Sequence, residues 1–365
     1  MRLGLVLLLL SIALSSVRAQ APQSPEPALA LNGLDPISLV AGKEIAGQKE
    51  IETTFGRFRY RFASEDQRAV FLKDPTAHCI QFGGACGKMG PFTGQGAADR
   101  YWVHDQRIYL FASEGCREAF KQAPAAHIEL PNPPPAGNAA ERKRGTELIE
   151  LALRGFGGQE RVDELKTFES HEVQIYRQGG KEFRYPHRVK ARFPLDVRVE
   201  DDFGSLYGYI VAGDKAIEFE KDQRWPLDDT VRDVARRRVL RYPLVMLKNR
   251  TREAFIAVAG GTGKAGDAEI EKLQVALYGA TSTWSIEPAT GRVVEVAYLA
   301  RQGKNGDNLV RYGDFRAVDG LMLPHTRRVF FNGQEVKSPE IRWEKFALNE
   351  RLDDSQFLMQ EKPQP

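Results

Sequence analysis

From Thr167 onward, apolar residues alternate with polar ones over short runs: Val173/Ile175, Val197/Val199, Tyr207/Tyr209, Ile217/Phe219, Trp284/Ile286, Val294/Val296/Tyr298 and Val329/Phe331. A period of two places successive side chains on opposite faces of a strand. Turn-forming strings separate the runs: Gln178-Gly179-Gly180, Ala212-Gly213-Asp214, Ala289-Thr290-Gly291, Val318-Asp319-Gly320 and Asn332-Gly333. The pattern predicts one long antiparallel sheet, which should curl and need helices over its concave face. Helical spacing is confined to 140–153, stopped by Gly155-Phe156-Gly157-Gly158, a short turn at 159–165, and 227–248. Within the last, Arg236-Arg237-Arg238 reads as a solvated helix face.

The first half is patterned differently. Tyr60-Arg61-Phe62-Ala63-Ser64-Glu65 leads into Arg68-Ala69-Val70-Phe71, and Tyr109-Leu110-Phe111-Ala112-Ser113-Glu114 leads into Arg117-Glu118-Ala119-Phe120. Each string predicts a strand, a serine N-cap and a short helix with its Phe toward the core. Phe55-Gly56-Arg57 and His104-Asp105-Gln106 supply the turn before each strand. The predicted unit is strand, turn, strand, helix, used twice.

Before this unit, Met1-Arg2, the apolar run 3–14 and Ser15–Ala21 have the three parts of a secretory signal, with cleavage after Ala19 or, as the favoured site, Ala21. The apolar run is shorter than the roughly 20 residues of a membrane span, and no later stretch reaches that length. The mature chain is therefore expected without a transmembrane span, secreted into a bacterial periplasm. The division expected is a signal peptide at 1–21, a first domain at 22–130, a Pro-rich linker at 131–140 and a second domain at 141–365. The 365 residues suit two domains, and 52 Lys+Arg against 49 Asp+Glu exclude a nucleic-acid binder driven by bulk charge. Three Cys exclude a disulfide-rich scaffold.

All three Cys lie in the first domain. Cys79, Cys86 and Cys116, with His78 beside the first, are the candidate ligands for a soft or borderline metal, copper or zinc. His104 and His127 are possible additions. Two other outcomes stand beside this one: a Cys79–Cys86 disulfide with Cys116 buried, or three inert buried thiols. Gly260-Gly261-Thr262-Gly263-Lys264 lacks the first Gly and the Ser/Thr of a phosphate loop, since Val258 and Ala265 occupy those places, and reads as a hairpin turn. No nucleophile–base motif is present, so a catalytic role is not expected. The curled sheet can enclose an apolar cavity for a lipid or acyl chain, with Val197, Tyr207, Tyr209, Phe219, Trp284 and Val296 as candidate lining, or it can pack solid.

The first domain resembles the YHS domain. The resemblance rests on Leu31-Asn32-Gly33-Leu34-Asp35-Pro36-Ile37-Ser38, Phe62-Ala63-Ser64, Phe71-Leu72-Lys73-Asp74-Pro75, Phe82-Gly83-Gly84-Ala85-Cys86 and Trp102–Leu110. Ala85 stands where the family carries Tyr, and Cys79 and Cys116 are extra thiols. The family's association with heavy-metal handling implies metal binding, and of the candidates only Cys86 is supported by the resemblance itself. The second domain resembles the bacterial lipoprotein-carrier fold of outer-membrane lipoprotein sorting. The cues are Gly155-Phe156-Gly157-Gly158, the string from Tyr312 to His325 and the ending from Phe346 to Phe357. It implies an incomplete barrel around an apolar cavity. The expected class is α+β: a small YHS-type module, then a curled antiparallel half-barrel with covering helices. The expected function is a periplasmic binding protein for a soft metal and an apolar ligand. The alternatives are a structural or interaction protein with oxidised thiols and a packed barrel, or an enzyme of a kind the motifs do not reveal.

Overall fold

The computed structural model describes residues 26–128, 131–301 and 305–357. The expected signal peptide and the boundary residues Glu129 and Leu130 lie outside the described residues. The first module is one unit built twice. In one copy, β1 (Ala28–Leu29) and α1 (Pro36–Val40) precede a hairpin of β2 (Gln48–Phe55) and β3 (Phe58–Phe62), then α2 (Glu65–Lys73) and α3 (Pro75–His78). In the other, the hairpin is β4 (Ala97–His104) and β5 (Arg107–Phe111), followed by α4 (Glu114–Gln122). Both long helices start at the predicted serine. Ser64 Oγ accepts from the Gln67 N–H at 3.3 Å, and Ser113 Oγ from the Cys116 N–H at 3.2 Å. Each bond satisfies an amide that the helix start leaves without a partner. Phe71 and Phe120 are fully buried. The duplication reaches further back than the sequence strings indicated. Ahead of each hairpin the chain turns through three positive-φ residues, Leu31, Asn32 and Gly33 in one copy and Phe82, Gly83 and Gly84 in the other.

The second module opens with α5 (Ala139–Gly155) and α6 (Gln159–Glu164). Asn138 and Glu141 close a capping box at the start of α5. Six strands follow: β6 (Thr167–Gln178), β7 (Lys181–Arg192), β8 (Asp196–Asp202), β9 (Leu206–Ala212), β10 (Lys215–Glu220) and β11 (Gln223–Pro226). The helical stretch at 227–248 is two helices, α7 (Asp229–Leu240) and α8 (Pro243–Lys248). They part at Tyr242, because a residue before proline is driven out of the helical region. Seven more strands complete the chain: β12 (Ile256–Ala265), β13 (Ala268–Leu277), β14 (Ala280–Ile286), β15 (Val293–Arg301), β16 (Asn305–Val318), β17 (Leu321–Phe331) and β18 (Gln334–Leu348).

All thirteen strands form one sheet in the order β11-β10-β9-β8-β7-β6-β18-β17-β16-β15-β14-β13-β12. Every neighbouring pair is antiparallel. The edges β11 and β12 do not pair, so the barrel stays open. The sheet curls far enough that α7 touches β9 and β10 toward one edge and β14 toward the other. Gly260-Gly261-Thr262 lies at a register shift inside β12, with the turn itself further on at Gly266.

The strings behind the lipoprotein-carrier resemblance meet in space. Gly157, with φ +110°, follows α5, and a Cβ there would lie 2.2 Å from the Gly320 carbonyl oxygen in the β16–β17 turn. The Met322 N–H donates to the Phe156 carbonyl at 3.2 Å beside it. The Pro-rich segment lies along the sheet: the Asn132 N–H donates to Gly279 O at 3.1 Å and the Thr281 hydroxyl to Pro133 O at 3.0 Å. Gly157→Ala must both hold a positive φ and push back a carbonyl, so we expect it to lower unfolding free energy by about 2–4 kcal/mol. Urea denaturation checks this, and a change below about 0.5 kcal/mol would contradict the close approach.

Candidate functional site

The concave face of the sheet is not filled uniformly. Near β12–β14 it packs against α5 in a dense core that includes Leu148, Leu153, Leu273, Val275 and Trp284. Toward the middle, between α7 and the strands, a chamber of about 570 Å³ remains. Its wall includes His187 and Val189 of β7, Tyr209 of β9, Val296 and Tyr298 of β15, Val310 and Tyr312 of β16, and Arg238, Arg241 and Tyr242 at the helices. An apolar arm of about 70 Å³ lies beyond it, walled by Phe168, Leu244, Val245, Leu323, Trp343 and Phe346 among others. Val189, Val239, Tyr242 and Tyr312 line both, so the two spaces adjoin. The alternation of the strands creates this face: Val189 pairs with Val199, and Val199 with Tyr209, so all three project to the same side.

A chain of buried charges supports the chamber wall. Pairing of β6, β7 and β8 sets Glu172, His187 and Asp201 side by side. His187 Nδ1 lies 2.7 Å from Asp201 Oδ1, and its Nε2 lies 3.1 Å from Glu172 Oε1. Arg327 donates from Nη2 to the same Glu172 oxygen at 3.0 Å and from Nη1 to the Tyr242 hydroxyl at 3.0 Å. Burial is the largest influence on His187 and opposes its protonation. The Asp201 hydrogen bond and the Glu172 and Asp201 charges together outweigh it and hold the imidazole above its usual range. Opposite charges here hold one another, an arrangement that fixes β6, β7, β8 and β17 together.

The first module docks on the β9–β11 end. Phe82, Tyr109, Phe111 and Phe120 share a buried cluster with Val211, Ala216, Leu227, Val231 and Ala235. Phe92 stacks on Tyr209 with ring centres 4.3 Å apart and lies 5.4 Å from the Arg238 guanidinium, so it buttresses two chamber residues from behind. Arg57 pairs with Glu218 at 2.9 Å and covers the Trp225 ring at 3.5 Å. Asp228 joins the modules through its carboxylate, which accepts from the Val231 N–H at 3.1 Å to cap α7 and from the Gly83 N–H at 3.2 Å across the interface. Beside it, Arg107 donates to Gln81 at 2.8 Å and to Thr230 at 3.3 Å. Neither Phe92 nor Asp228 carries a sequence signal beyond the Asp-x-x N-cap pattern of the latter.

Of the residues expected to line a cavity, Tyr209 and Val296 do so. Val197 and Trp284 pack within the core of the same face. Tyr207 is withdrawn toward the first module, its hydroxyl donating to Glu218 at 2.7 Å. Phe219 lies on the other face of the sheet, under Arg198 at 4.1 Å and in one cluster with Phe357. The arginine run is not a solvated face: Arg237 is 4% exposed and Arg241 8%, while Arg238 lines the chamber. The helix carries them inward because the concave face wraps around α7.

The four candidate metal ligands do not converge. Cys79 sits in the core of the first repeat with Tyr60 and Phe71, its thiol directed at the Thr76 carbonyl at 3.6 Å, and burial pushes that thiol well up. His78 ends α3 nearby. Cys86 and Cys116 belong instead with the docking cluster. The cause is the duplication, which assigns Cys79 and Cys86 to different hydrophobic cores. Among the described residues, no group of three or more His, Cys, Asp or Glu side chains has the geometry to hold a metal ion. The expected four-residue copper or zinc site therefore does not fit this arrangement. The three thiols are free, with no Cys79–Cys86 disulfide. No described helix is long and apolar enough to cross a membrane.

No family model matches the chain, and no curated protein matches it. Among solved structures, 59% of this chain aligns with 97% of each of three others. One is a DUF1329 family protein from Desulfovibrio piger, at 11% identity and a TM-score of 0.39. Another is a putative outer membrane lipoprotein-sorting protein domain from Vibrio parahaemolyticus, at 10% and 0.40. The third is a LolA superfamily protein from Nitrosomonas europaea, at 12% and 0.41. The likeness is one of chain path through the C-terminal region, and the reading of the site rests on its own geometry.

Asp228 gives the docking a pH signature. Complete burial pushes its carboxyl up to about 6, with the Val231 and Gly83 N–H groups acting in opposition. The folded value thus exceeds the unfolded one, near 3.9. Its contribution to stability is full below about pH 4 and is lost as pH rises through about 6, by roughly 3 kcal/mol at most. We expect Asp228→Asn to flatten this part of the stability–pH profile while lowering stability at acid pH, because the amide loses an acceptor. Denaturant melts from pH 4 to 7 measure it, and an unchanged slope would contradict the assignment.

Proposed function

We propose that this protein is an exported, non-enzymatic carrier that holds an acyl chain or other apolar lipid group in the half-barrel, and that it works in a bacterial periplasm. The observation that carries the reading is the chamber with its adjoining apolar arm. A volume of about 570 Å³ falls within the roughly 300–1,000 Å³ of pockets that enclose small ligands. The arm is walled by aromatic and aliphatic side chains, and apolar surface of this kind gains about 25 cal/mol per Å² removed from water. An acyl chain suits walls of that apolar character. The chamber also argues against a solid interior. The sequence-level signal supports export. On this reading the first module, YHS-like in its sequence strings, serves as a docked wall of the carrier, and a soft-metal role for it would rest on Cys86 and Cys116 alone.

Native mass spectrometry of protein recovered from a bacterial periplasm should show a lipid-sized adduct that organic extraction removes. Val189 lines both spaces, so Val189→Trp should reduce binding of a fluorescent fatty-acyl probe at least tenfold while leaving the far-UV circular dichroism unchanged. No adduct and no probe uptake by the wild-type chain would overturn the carrier reading.

A further inference from the structure

The duplication identifies what Cys86 and Cys116 replace. Asp35 is the counterpart of Cys86. Both follow the positive-φ turn, both are fully buried, and both accept the N–H of the alanine that precedes the capping serine. Ala63 donates to Asp35 Oδ2 at 2.6 Å, and Ala112 donates to Cys86 Sγ at 3.4 Å. Gln67 is the counterpart of Cys116, each giving its N–H to the serine cap. One copy of the unit therefore closes this corner with a carboxylate and an amide, and the other closes it with two thiols.

Those thiols share one corner. The Ala112 N–H that donates to Cys86 Sγ at 3.4 Å directly precedes Ser113, whose hydroxyl accepts the Cys116 N–H at 3.2 Å, and Cys116 packs against the cluster that contains Cys86. Cys116 is partly exposed on the first turn of α4, whereas Cys86 is fully buried behind it. The Ser113 hydroxyl is the main influence holding the Cys116 thiol below its usual range; burial opposes it, and Cys86 and the Lys88 charge assist. An accessible thiol backed by a buried one is the arrangement that thiol–disulfide exchange requires. Cys79 lies in the other repeat's core and is excluded from it.

We propose that Cys86 and Cys116 form a reversible dithiol–disulfide pair that exchanges with an external disulfide of a protein or of glutathione. The Cys116 thiolate attacks one sulfur of that disulfide, forming a mixed disulfide and expelling a thiolate. Cys86, deprotonated, then attacks the Cys116 sulfur and releases the second thiol. The chain gives up two protons and two electrons, and the external disulfide becomes two thiols. The bond closes at the docking cluster, so it staples the second repeat where this repeat meets the half-barrel.

The test uses the full chain equilibrated in buffers of graded glutathione disulfide to glutathione ratio, quenched by alkylation and mapped by proteolysis and mass spectrometry. Wild type should lose two of its three thiols in one transition, with Cys86 joined to Cys116 and Cys79 still alkylated. Cys79→Ser should keep the transition. Cys86→Ala should instead accumulate a glutathione adduct on Cys116. Three alkylated thiols in wild type at the most oxidising ratio, or a cross-link that includes Cys79, would overturn the proposal. The wild-type map decides the matter even if Cys86→Ala fails to fold.

Discussion

A curled sheet of thirteen antiparallel strands has one large concave face that must be removed from water, and the rest of this structure depends on how that face is covered. Three bodies share the work. Helix α5 covers the β12–β14 end, α7 and α8 lie across the hollow, and the duplicated first module closes the β9–β11 end. Since none of them fills the middle, a chamber is left between α7 and the strands. The same geometry explains why an arginine-rich helix points inward: a helix wrapped by a sheet has no fully solvated side, and its long side chains must find ring faces and buried partners.

The docking of the first module is therefore part of the half-barrel's architecture. Its aromatic residues enter a cluster with strand and helix residues of the half-barrel, and Asp228 ties the α7 start to the Gly83 turn. Phe92 supports Tyr209, which faces the chamber. Movement at this contact would be felt in the chamber wall. The chain Asp201–His187–Glu172–Arg327–Tyr242 braces the wall across β8, β7, β6 and β17, and removal of Glu172 would leave the buried Arg327 without its carboxylate at a cost of about 3–5 kcal/mol.

Much of this fold was legible in the sequence because it rests on local rules. Alternation located the strands, the serines located both caps, and Gly155-Phe156-Gly157-Gly158 marked the end of α5, while the close approach of Gly157 to Gly320 emerged only in the fold. The candidate site was less legible. Alternation cannot tell which of the two faces is concave, and so Phe219, on the outer face, was grouped with Tyr209 on the inner one. Spacing along the chain paired Cys79 with Cys86, whereas the duplication pairs Cys86 with Cys116. Asp228 shows no more than an N-cap pattern along the chain, since the N–H it accepts across the interface lies 145 residues away.

On the proposed reading the hollow beside α7 receives an acyl chain, and Trp343 is placed to report on it. It lines the apolar arm, whereas Trp284 is sealed in the core, Trp225 lies under Arg57 and Trp102 lies under Lys121 in the first module. Fatty acids brominated along the chain quench tryptophan only on near contact, so titrating the protein with them while recording emission tests occupancy directly. The account predicts saturable quenching that disappears in Trp343→Phe with the remaining emission unaffected. Quenching that persists in that variant, or none in the wild-type chain, would contradict it.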